Sequence, residues 1–281
     1  MPFAPSIEDL RQLAQRRLPR MFYDYIDAGS WTERTYRANT ERLAAIGLRQ
    51  RVAVDLEGRQ IRSTMLGRPV AMPVALGPAG LAGIFHPDGE IHAARAAEKF
   101  GVPFALSTMS ICSIEDVAEH AGRGFWFQLY MMKDREFMSR LIGRAKAAGC
   151  SALVLTLDLQ ILGQRHKDLI NGLSAPPKLT LKNIVNMATK PRWAWGMLHT
   201  SRRGFGNIVG HVSGVDDMSS LSTWTAQQFD PALLGAALAV PATLLLGAAP
   251  ALAENRADAA FDIPAGPLGD ALTQFAASAG V

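Results

Sequence analysis

Between residues 73 and 156, apolar segments of strand length alternate with helical segments. The strand-like segments cover residues 73–76, 104–106, 124–129 and 152–156. The helical patterns between them cover residues 88–100, 113–120 and 134–148. Alternation at this spacing is typical of βα units, in which consecutive strands lie parallel in one sheet. The pattern therefore predicts an α/β fold built on four consecutive parallel strands.

Two helices are predicted before the first strand. Residues 7–18 form an amphipathic pattern with Ser6 at the N-cap position and Pro19 as a stop signal. Residues 21–28 predict a second, shorter helix that ends at Gly29.

Small or polar residues follow each predicted strand. The four strand endings are Gly77-Pro78-Ala79-Gly80, Ser107-Thr108, Gln128-Leu129-Tyr130 and Thr156-Leu157-Asp158. One polar residue after a strand is usually part of a turn or a helix cap. In parallel α/β folds, however, ligands bind at the carboxyl ends of strands, because backbone groups and helix N-termini point there. Four consecutive endings of this kind predict a ligand site on that face of the sheet.

In their order along the chain, six motifs resemble those of the FMN-dependent α-hydroxy-acid dehydrogenases and oxidases, which include L-lactate and mandelate dehydrogenases and glycolate oxidase. The motifs are Tyr23-Asp24-Tyr25, Pro78-Ala79-Gly80, Leu106-Ser107-Thr108, Gln128-Leu129-Tyr130, Thr156-Leu157-Asp158 and Leu162-Gly163-Gln164-Arg165. The resemblance covers residues 5–230. It implies a (β/α)8 TIM barrel, FMN as the cofactor, and oxidation of a small, lactate-like L-2-hydroxy acid to a 2-oxo acid.

The resemblance implies a cofactor role for a set of small or polar residues at the strand ends: Pro78, Ala79, Gly80, Ser107, Gln128 and Thr156. The first three would offer backbone near flavin N5, and the others would hydrogen-bond the ring system. The physical requirement agrees with this assignment. A flat ring with donor and acceptor edges needs short side chains and exposed backbone at adjacent strand ends, because longer side chains would collide with it.

The resemblance also implies a substrate site. Tyr25, Tyr130 and Arg165 would bind the 2-hydroxy acid, since a planar guanidinium matches a carboxylate in two hydrogen bonds. Tyr130 would also bond the reacting oxygen, and Asp158 would orient a catalytic histidine. Taken singly, each residue also has a structural interpretation. Tyr25 could be a packing residue, Arg165 could be a solvated cation, and Asp158 could be a helix N-cap. Their joint order favours the functional interpretation.

The sequence departs from the family pattern where the fifth to eighth strands of the barrel would follow. The family's histidine base with its neighbouring arginine, its flavin-contacting lysine and its Asp-Gly-Gly and Gly-Arg phosphate loops do not appear. We therefore expect an incomplete barrel of about the first four βα units, with weak FMN binding and impaired or absent activity. An open sheet edge would also favour homo-oligomers or aggregation.

Residues 159–228 are predicted to form a long connection rich in Gly, Pro, Trp, Lys and Arg. Within residues 190–203, Trp193 and Trp195 lie beside cations such as Lys190 and Arg192. Indoles next to cations suit a membrane surface with anionic lipid. A surface loop folded over the active-site face is an equal alternative.

The composition changes near Phe229 and predicts three segments: 1–230, 231–254 and 255–281. Residues 233–253 are uncharged and end in Ala251-Leu252-Ala253, which has the form of a signal-peptidase site. Residues 255–281 resemble the start of the secretin/TonB short N-terminal domain of TonB-dependent receptors.

These segments leave three hypotheses open. The first is a truncated dehydrogenase fused to the start of such a receptor. The second is a membrane-tethered, non-catalytic binding module anchored by residues 233–253. The third is an enzyme completed by another chain.

Charge and cysteine content narrow the function class. The net charge is +4, and residues 229–281 contain one basic and five acidic residues, so the positive charge belongs to the first part. No dense Lys/Arg run indicates a nucleic-acid partner. Cys112 and Cys150 lack CxxC spacing, which predicts buried free thiols and no metal site.

The N-terminus lacks a signal-peptide core, which predicts a cytoplasmic protein. Association of this protein with the inner membrane is the alternative.

Overall fold

The computed structural model describes residues 4–55, 57–121, 124–157, 163–173 and 178–215, together with residues 220, 221, 224, 225 and 228. The predicted segments 231–254 and 255–281 therefore lie outside the described residues, as does Asp158.

Three helices and a hairpin precede the main sheet. They are α1 (Ile7–Arg17), α2 (Arg20–Ile26), α3 (Arg34–Ala44), β1 (Ser63–Met65) and β2 (Arg68–Val70), with β1 and β2 antiparallel. The predicted N-cap is confirmed, because the Ser6 side chain accepts from the Asp9 N–H and the Asp9 side chain accepts from the Ser6 N–H. This reciprocal capping box satisfies two backbone donors at the start of α1.

The main elements alternate as predicted. In chain order they are α4 (Ala82–Phe85), α5 (Gly89–Phe100), β3 (Ala105–Ser107), α6 (Ile114–His120), β4 (Trp126–Tyr130), α7 (Arg135–Ala147) and β5 (Ala152–Thr156). The strands form a parallel sheet in the order β3-β4-β5. Leu76 forms a parallel bridge with Phe104, so the first predicted strand lies beside β3. The α/β fold with a parallel sheet is thus confirmed.

The apolar core lies between this sheet and the helices that cover it. Leu106, Phe127 and Leu129 of the sheet are at most 1% exposed. Phe137 and Leu141 of α7 pack in the same cluster and are fully buried. Cys112 and Cys150 are free, buried thiols, as predicted, and burial raises the pKa of the Cys150 thiol to about 12.

The expectation of one long irregular connection after β5 is corrected. Its described parts carry three helices, α8 (His166–Ile170), α9 (Leu181–Ala188) and α10 (Pro191–His199). The helices form because Thr180 caps α9 through the Asn183 N–H and Pro191 occupies the first turn of α10. Neither α9 nor α10 contains a buried residue. Among the described residues, no helix is long and apolar enough to cross a membrane.

Candidate functional site

A row of polar side chains crosses the carboxyl ends of β3, β4 and β5. Ser107 Oγ donates to Gln128 Oε1 at 3.2 Å, and Gln128 Nε2 donates to Thr156 Oγ1 at 2.6 Å. Ser107 and Gln128 are each only 2% exposed, whereas Thr156 is half-buried. Strand register places Ser107 opposite Gln128. A buried row whose members satisfy one another is rigid, because breaking any link leaves a polar group without a partner.

The turn after β3 is held by the same row. The Thr108 N–H donates to Gln128 Oε1 at 3.3 Å, and the Met109 N–H donates to Ser107 Oγ at 3.1 Å. Gln128 Oε1 thus accepts from both a side chain and the backbone. Through it, the ends of β3 and β4 are fixed relative to each other.

The Pro78-Ala79-Gly80 segment lies next to this turn. The Leu81 N–H donates to the Met109 carbonyl at 3.0 Å. A Cβ built on Gly80 would lie 3.4 Å from the same oxygen, at the near limit of ordinary contact. Pro78 and Ala79 are exposed and Gly80 is half-buried. The segment therefore forms an open edge with little side-chain bulk beside the polar row.

The structure brings Tyr25 and Arg165 together although they lie 140 residues apart. The guanidinium carbon of Arg165 lies 4.6 Å from the Tyr25 ring centroid, and Nη2 donates to the Tyr25 carbonyl. Arg165 Nε lies 2.7 Å from Asp168 Oδ2 in an ion pair. These contacts with described residues use two of the three guanidinium nitrogens. They hold Arg165 in place, and the remaining N–H groups of its guanidinium can still donate to a carboxylate.

Burial changes the pKa of the two groups that contact Arg165, Tyr25 and Asp168. It raises the pKa of the Tyr25 hydroxyl, an effect that the nearby Arg165 charge opposes. It also raises the pKa of Asp168, which is 7% exposed, and again Arg165 opposes the shift. The Tyr25 hydroxyl is protonated at neutral pH, as any tyrosine is, and the raised pKa extends its ability to donate a hydrogen bond to higher pH.

Two further contacts relate these parts of the site. The Tyr25 ring lies 6.3 Å from the ring of Phe85, which ends the short helix that follows Gly80. Tyr130 ends β4 directly opposite Thr156 in the strand register and is half-buried. Asp158, the predicted orienting carboxylate, lies outside the described residues.

Sequence reasoning assigned no role to two residues of the site. Asp168, which pairs with Arg165, follows it by three residues at the start of α8, a spacing that places side chains on one helix face. That spacing was a usable signal. Thr108 is fully buried, and its Oγ1 donates to the Gln128 carbonyl on the neighbouring strand. No local sequence pattern distinguishes such a residue from an ordinary turn residue.

The arrangement fits a flat heteroaromatic cofactor better than a metal. The edge of the polar row presents the Thr156 hydroxyl and the Gln128 carboxamide. The Pro78-Ala79-Gly80 segment leaves room for a ring, and Arg165 is the cation of the site. Within the described part of the chain, no group of three or more His, Cys, Asp or Glu side chains forms a metal site.

A parallel βα sheet with such a row at its carboxyl edge defines an α/β domain of the cofactor-binding class. The family model described as FMN-dependent dehydrogenase matches residues 14–240, past the boundary predicted at 230. The chain belongs to this family, whose cofactor is FMN.

Individual relatives agree with this assignment. The L-lactate dehydrogenase of Caulobacter vibrioides (strain NA1000 / CB15N) is 43% identical over 233 residues, which are 81% of this chain and 60% of that protein. The L-lactate dehydrogenase of Yersinia pestis (strain Pestoides F) is 42% identical over 226 residues, covering 80% of this chain and 59% of that protein. The chain therefore spans about 60% of the length of these curated relatives.

Solved structures show the same relationship. The monotopic membrane protein (S)-mandelate dehydrogenase superposes with a TM-score of 0.74 at 34% identity, over 80% of this chain and 60% of that one. A mandelate oxidase with (S)-4-hydroxymandelic acid gives a TM-score of 0.64 at 31% identity, over 81% of this chain and 58% of the oxidase.

Proposed function

We propose that this chain supplies the flavin-ring cradle and part of the carboxylate site for FMN-dependent oxidation of a small L-2-hydroxy acid to a 2-oxo acid. The observation that carries the proposal is the buried row of Ser107, Gln128 and Thr156 at three adjacent strand ends. We place β3, β4, β5 and the Leu76 segment as the first four strands of a (β/α)8 barrel, in agreement with the superposition on (S)-mandelate dehydrogenase.

Each part of the site has a chemical task in this proposal. FMN, when bound, supplies the acceptor of the hydride equivalent lost by the substrate. Gln128, Thr156 and the backbone of the Pro78-Ala79-Gly80 segment hold and orient the ring. Arg165, fixed by Asp168 and stacked on Tyr25, binds the substrate carboxylate.

The hydroxyl groups complete the binding of the substrate. Tyr25, which is protonated at neutral pH, donates to the carboxylate. Tyr130, beside Thr156, bonds the substrate hydroxyl oxygen. Asp158 keeps its proposed role of orienting a histidine base.

We infer that catalysis by this chain alone is impaired. A positioned general base contributes about 10²–10⁴-fold. His166, which follows Arg165 directly, packs edge-on against Trp31 with ring centroids 5.8 Å apart. His211 lies beside Arg140 and Arg144 of α7, and partial burial together with the Arg144 charge lowers its pKa. Neither contact aims an imidazole at the substrate groups named above.

FMN titration of the purified chain, followed by flavin fluorescence and visible absorbance, tests the cofactor site. We expect saturable binding, reduced at least ~10-fold by Gln128→Leu, because the substitution leaves the Ser107 hydroxyl and the Thr108 N–H without their buried acceptor. Ser151→Ala is the matched control. Its hydroxyl bonds the Gly124 carbonyl at the opposite end of β5 and its loss should leave FMN affinity unchanged. Equal FMN affinity of Gln128→Leu and wild type would show that the row of Ser107, Gln128 and Thr156 does not bind the cofactor.

Anaerobic addition of L-lactate to the FMN complex then tests activity. Bound flavin that keeps its visible absorbance supports the impaired form of the proposal. Bleaching within seconds would show that the chain carries a working base.

A second function, contact with a membrane surface, is favoured by the exposed faces of α9 and α10. Large apolar side chains on these helices are exposed: Leu181, Ile184, Val185, Trp195 and Leu198. Lys182, Lys190 and Arg192 lie among them. The (S)-mandelate dehydrogenase that superposes on this chain is described as a monotopic membrane protein. We propose that α9 and residues 190–203 lie on the surface of an anionic membrane.

Flotation with phosphatidylglycerol vesicles tests this contact. The double variant Trp195→Ala/Leu198→Ser should lose most of the vesicle-bound fraction, and Leu48→Ser, at a 90% exposed leucine elsewhere, should not. Equal flotation of the two variants would place the contact outside α10.

The remaining sequence predictions concern the tail and the sheet edge. Among the described strands β5 pairs only with β4, which agrees with association through its other edge. The fusion to a TonB-receptor segment and the tethered-module alternative stay predictions about residues 231–281, outside the described part of the chain.

A further inference from the structure

Asn207 is a fully buried polar residue far in sequence from the strand ends that it touches. It lies after α10, in the segment that returns from the apolar helices to the sheet, and has 0% exposure. Its hydrogen-bond partners lie 63 to 100 residues earlier in the chain. A buried amide is costly unless its donors and acceptor are paired, so this placement calls for a structural reason.

The Asn207 side chain is paired on both its donor and acceptor sides. Nδ2 donates to Ser110 Oγ at 2.9 Å and lies 3.3 Å from the Ser107 carbonyl and 3.4 Å from the Thr108 carbonyl. Oδ1 accepts from the Ile114 N–H, the first residue of α6, at 2.9 Å. One carboxamide thus spans the whole turn from the end of β3 to the start of α6.

The backbone around Asn207 is pressed against the same turn. The Gly206 N–H donates to the Ile111 carbonyl at 3.2 Å. A Cβ on Gly206 would lie 2.8 Å from that oxygen and from the Ser113 nitrogen, so only glycine permits this approach. Arg144 Nη1 donates to the Asn207 carbonyl at 3.1 Å. These contacts hold the carboxamide in one position relative to β3.

We propose that Asn207 is a positioning residue for the cofactor-facing end of β3. It holds the Ser107 and Thr108 carbonyls, and these set the direction of the Ser107 hydroxyl and the Thr108 N–H toward Gln128. The inference rests on the proposed function and adds to it a residue that the strand-end motifs do not contain.

The chemistry of the side chain makes the proposal specific. Asn→Asp is nearly isosteric, but it replaces the NH₂ donor by an oxygen that faces two carbonyls and the Ser110 hydroxyl, whose hydrogen is donated to the Cys112 carbonyl. Arg144 Nη2, 3.5 Å from Oδ1, stays beside the other carboxylate oxygen. The Ile114 N–H keeps its acceptor in this variant. Asn207→Asp therefore removes the hold on the end of β3 while leaving the start of α6 capped.

Hydrogen exchange and FMN titration on the full chain test the proposal together. In Asn207→Asp we expect faster exchange at the amides of residues 108–111 and a loss of at least ~10-fold in FMN affinity, with a weakened visible circular dichroism of bound flavin. Asn183→Asp is the matched control. It loses a comparable bond, from Nδ2 to the Asn171 carbonyl at 2.9 Å, within the same connection but away from β3. We expect it to match wild type in all three measurements.

A second variant covers the case in which Asn207→Asp does not fold. Ser110→Ala removes one of the three acceptors near Nδ2, together with the hydrogen bond from Ser110 Oγ to the Cys112 carbonyl, and keeps both carbonyl contacts of Asn207. It should give the same changes at a smaller size. Exchange and FMN affinity that stay at wild-type values in both variants, or in the one that folds, would overturn the positioning role.

Failure of the proposed function has a different signature. A wild-type chain that binds no FMN overturns the cofactor proposal and the positioning role with it. Wild-type binding that Asn207→Asp leaves unchanged overturns the positioning role alone.

Discussion

The sheet β3–β5 and the helices α9–α10 differ in how far their apolar side chains are buried. Leu106, Phe127 and Leu129 are almost completely buried in the sheet, whereas neither helix buries a single residue. The sheet also buries polar groups, but it pairs them with one another across the strand ends. A buried polar group in the sheet is costly to remove because its partners cannot reach water, whereas Trp195 and Leu198 of α10 already face solvent.

The difference separates the part of the molecule that holds a site from the part that offers a surface. A site needs side chains fixed by packing and by hydrogen bonds, which the sheet supplies. A surface needs exposed area, which α9 and α10 supply. The segment around Asn207 joins the two regions, since it leaves α10 and ends beneath the turn after β3.

The largest expected effect is in the sheet. Phe127→Ala should lower the free energy of unfolding by about 3–5 kcal/mol, because it removes a fully buried ring from the centre of the core. Phe100→Ala, which removes the same side chain from a 59% exposed position on α5, should cost no more than ~0.5 kcal/mol. Urea unfolding followed by circular dichroism measures both. Similar losses in the two variants would contradict the contrast between core and surface.

An intermediate effect is expected within α10 itself, where two tryptophans lie in different surroundings. Trp193 Nε1 donates to the Ile84 carbonyl at 2.8 Å, and its ring lies 5.4 Å from that of Phe22. Trp193→Ala should cost about 1–3 kcal/mol, because it removes both contacts. Trp195 is 68% exposed, and its replacement by Ala should change stability by no more than ~0.5 kcal/mol. The reverse order in urea unfolding would mean that α10 docks through its other face.

The smallest expected effect is electrostatic and depends on pH. Arg202 pairs with Asp88 at 2.9 Å and with Asp116 at 2.8 Å, which ties the connection to the starts of α5 and α6. Burial alone would raise the pKa of Asp116, but hydrogen bonds from the Ser113 N–H, Arg202 and the Ser113 hydroxyl together lower it. A carboxyl whose folded pKa is lowered adds stability above its unfolded pKa and loses it as the pH falls through the folded value.

Arg202→Gln should therefore destabilise the protein by about 1 kcal/mol at pH 7, with a difference that shrinks as the pH falls below the usual aspartate range. Urea unfolding from pH 7 to pH 3 measures this. Arg140→Gln is the control, since its pairing with the 92% exposed Glu136 spans 3.9 Å and its other contacts, with the Phe137 ring and the His211 carbonyl, involve no carboxyl group. Any stability loss in this variant should stay nearly constant between pH 7 and pH 3. A difference for Arg202→Gln that stays constant down to pH 3 would show that Asp116 does not contribute.

Local sequence patterns predicted much of the fold. The predicted strand 152–156 coincides with β5, and the predicted helix 88–100 differs from α5 by one residue. Ser6 and Ser113 each head a capping box, a signal that needs only four residues of sequence. Such features depend on neighbours within one helical turn or one strand, so the sequence carries them directly.

The connection after β5 was harder to predict for a physical reason. Helices α8–α10 have 5, 8 and 9 residues and are too short to be stable in isolation, and α10 also contains Pro, Gly and two Trp residues. They depend on long-range contacts such as Asn186 Oδ1 with the Arg20 N–H at 2.7 Å. No window of sequence contains both partners.

The amino-acid sequence by itself determined the βα order, the family and the positions of the small and polar residues at the strand ends. The tertiary structure decided which of those residues meet. Gln128 bonds Ser107 and Thr156 because parallel pairing aligns their strands, and Arg165 reaches Tyr25 because α8 packs on α2. Periodicity is a local property of the chain, whereas a bond between residues about 100 positions apart, such as that of Asn207, exists only once the intervening chain has folded back.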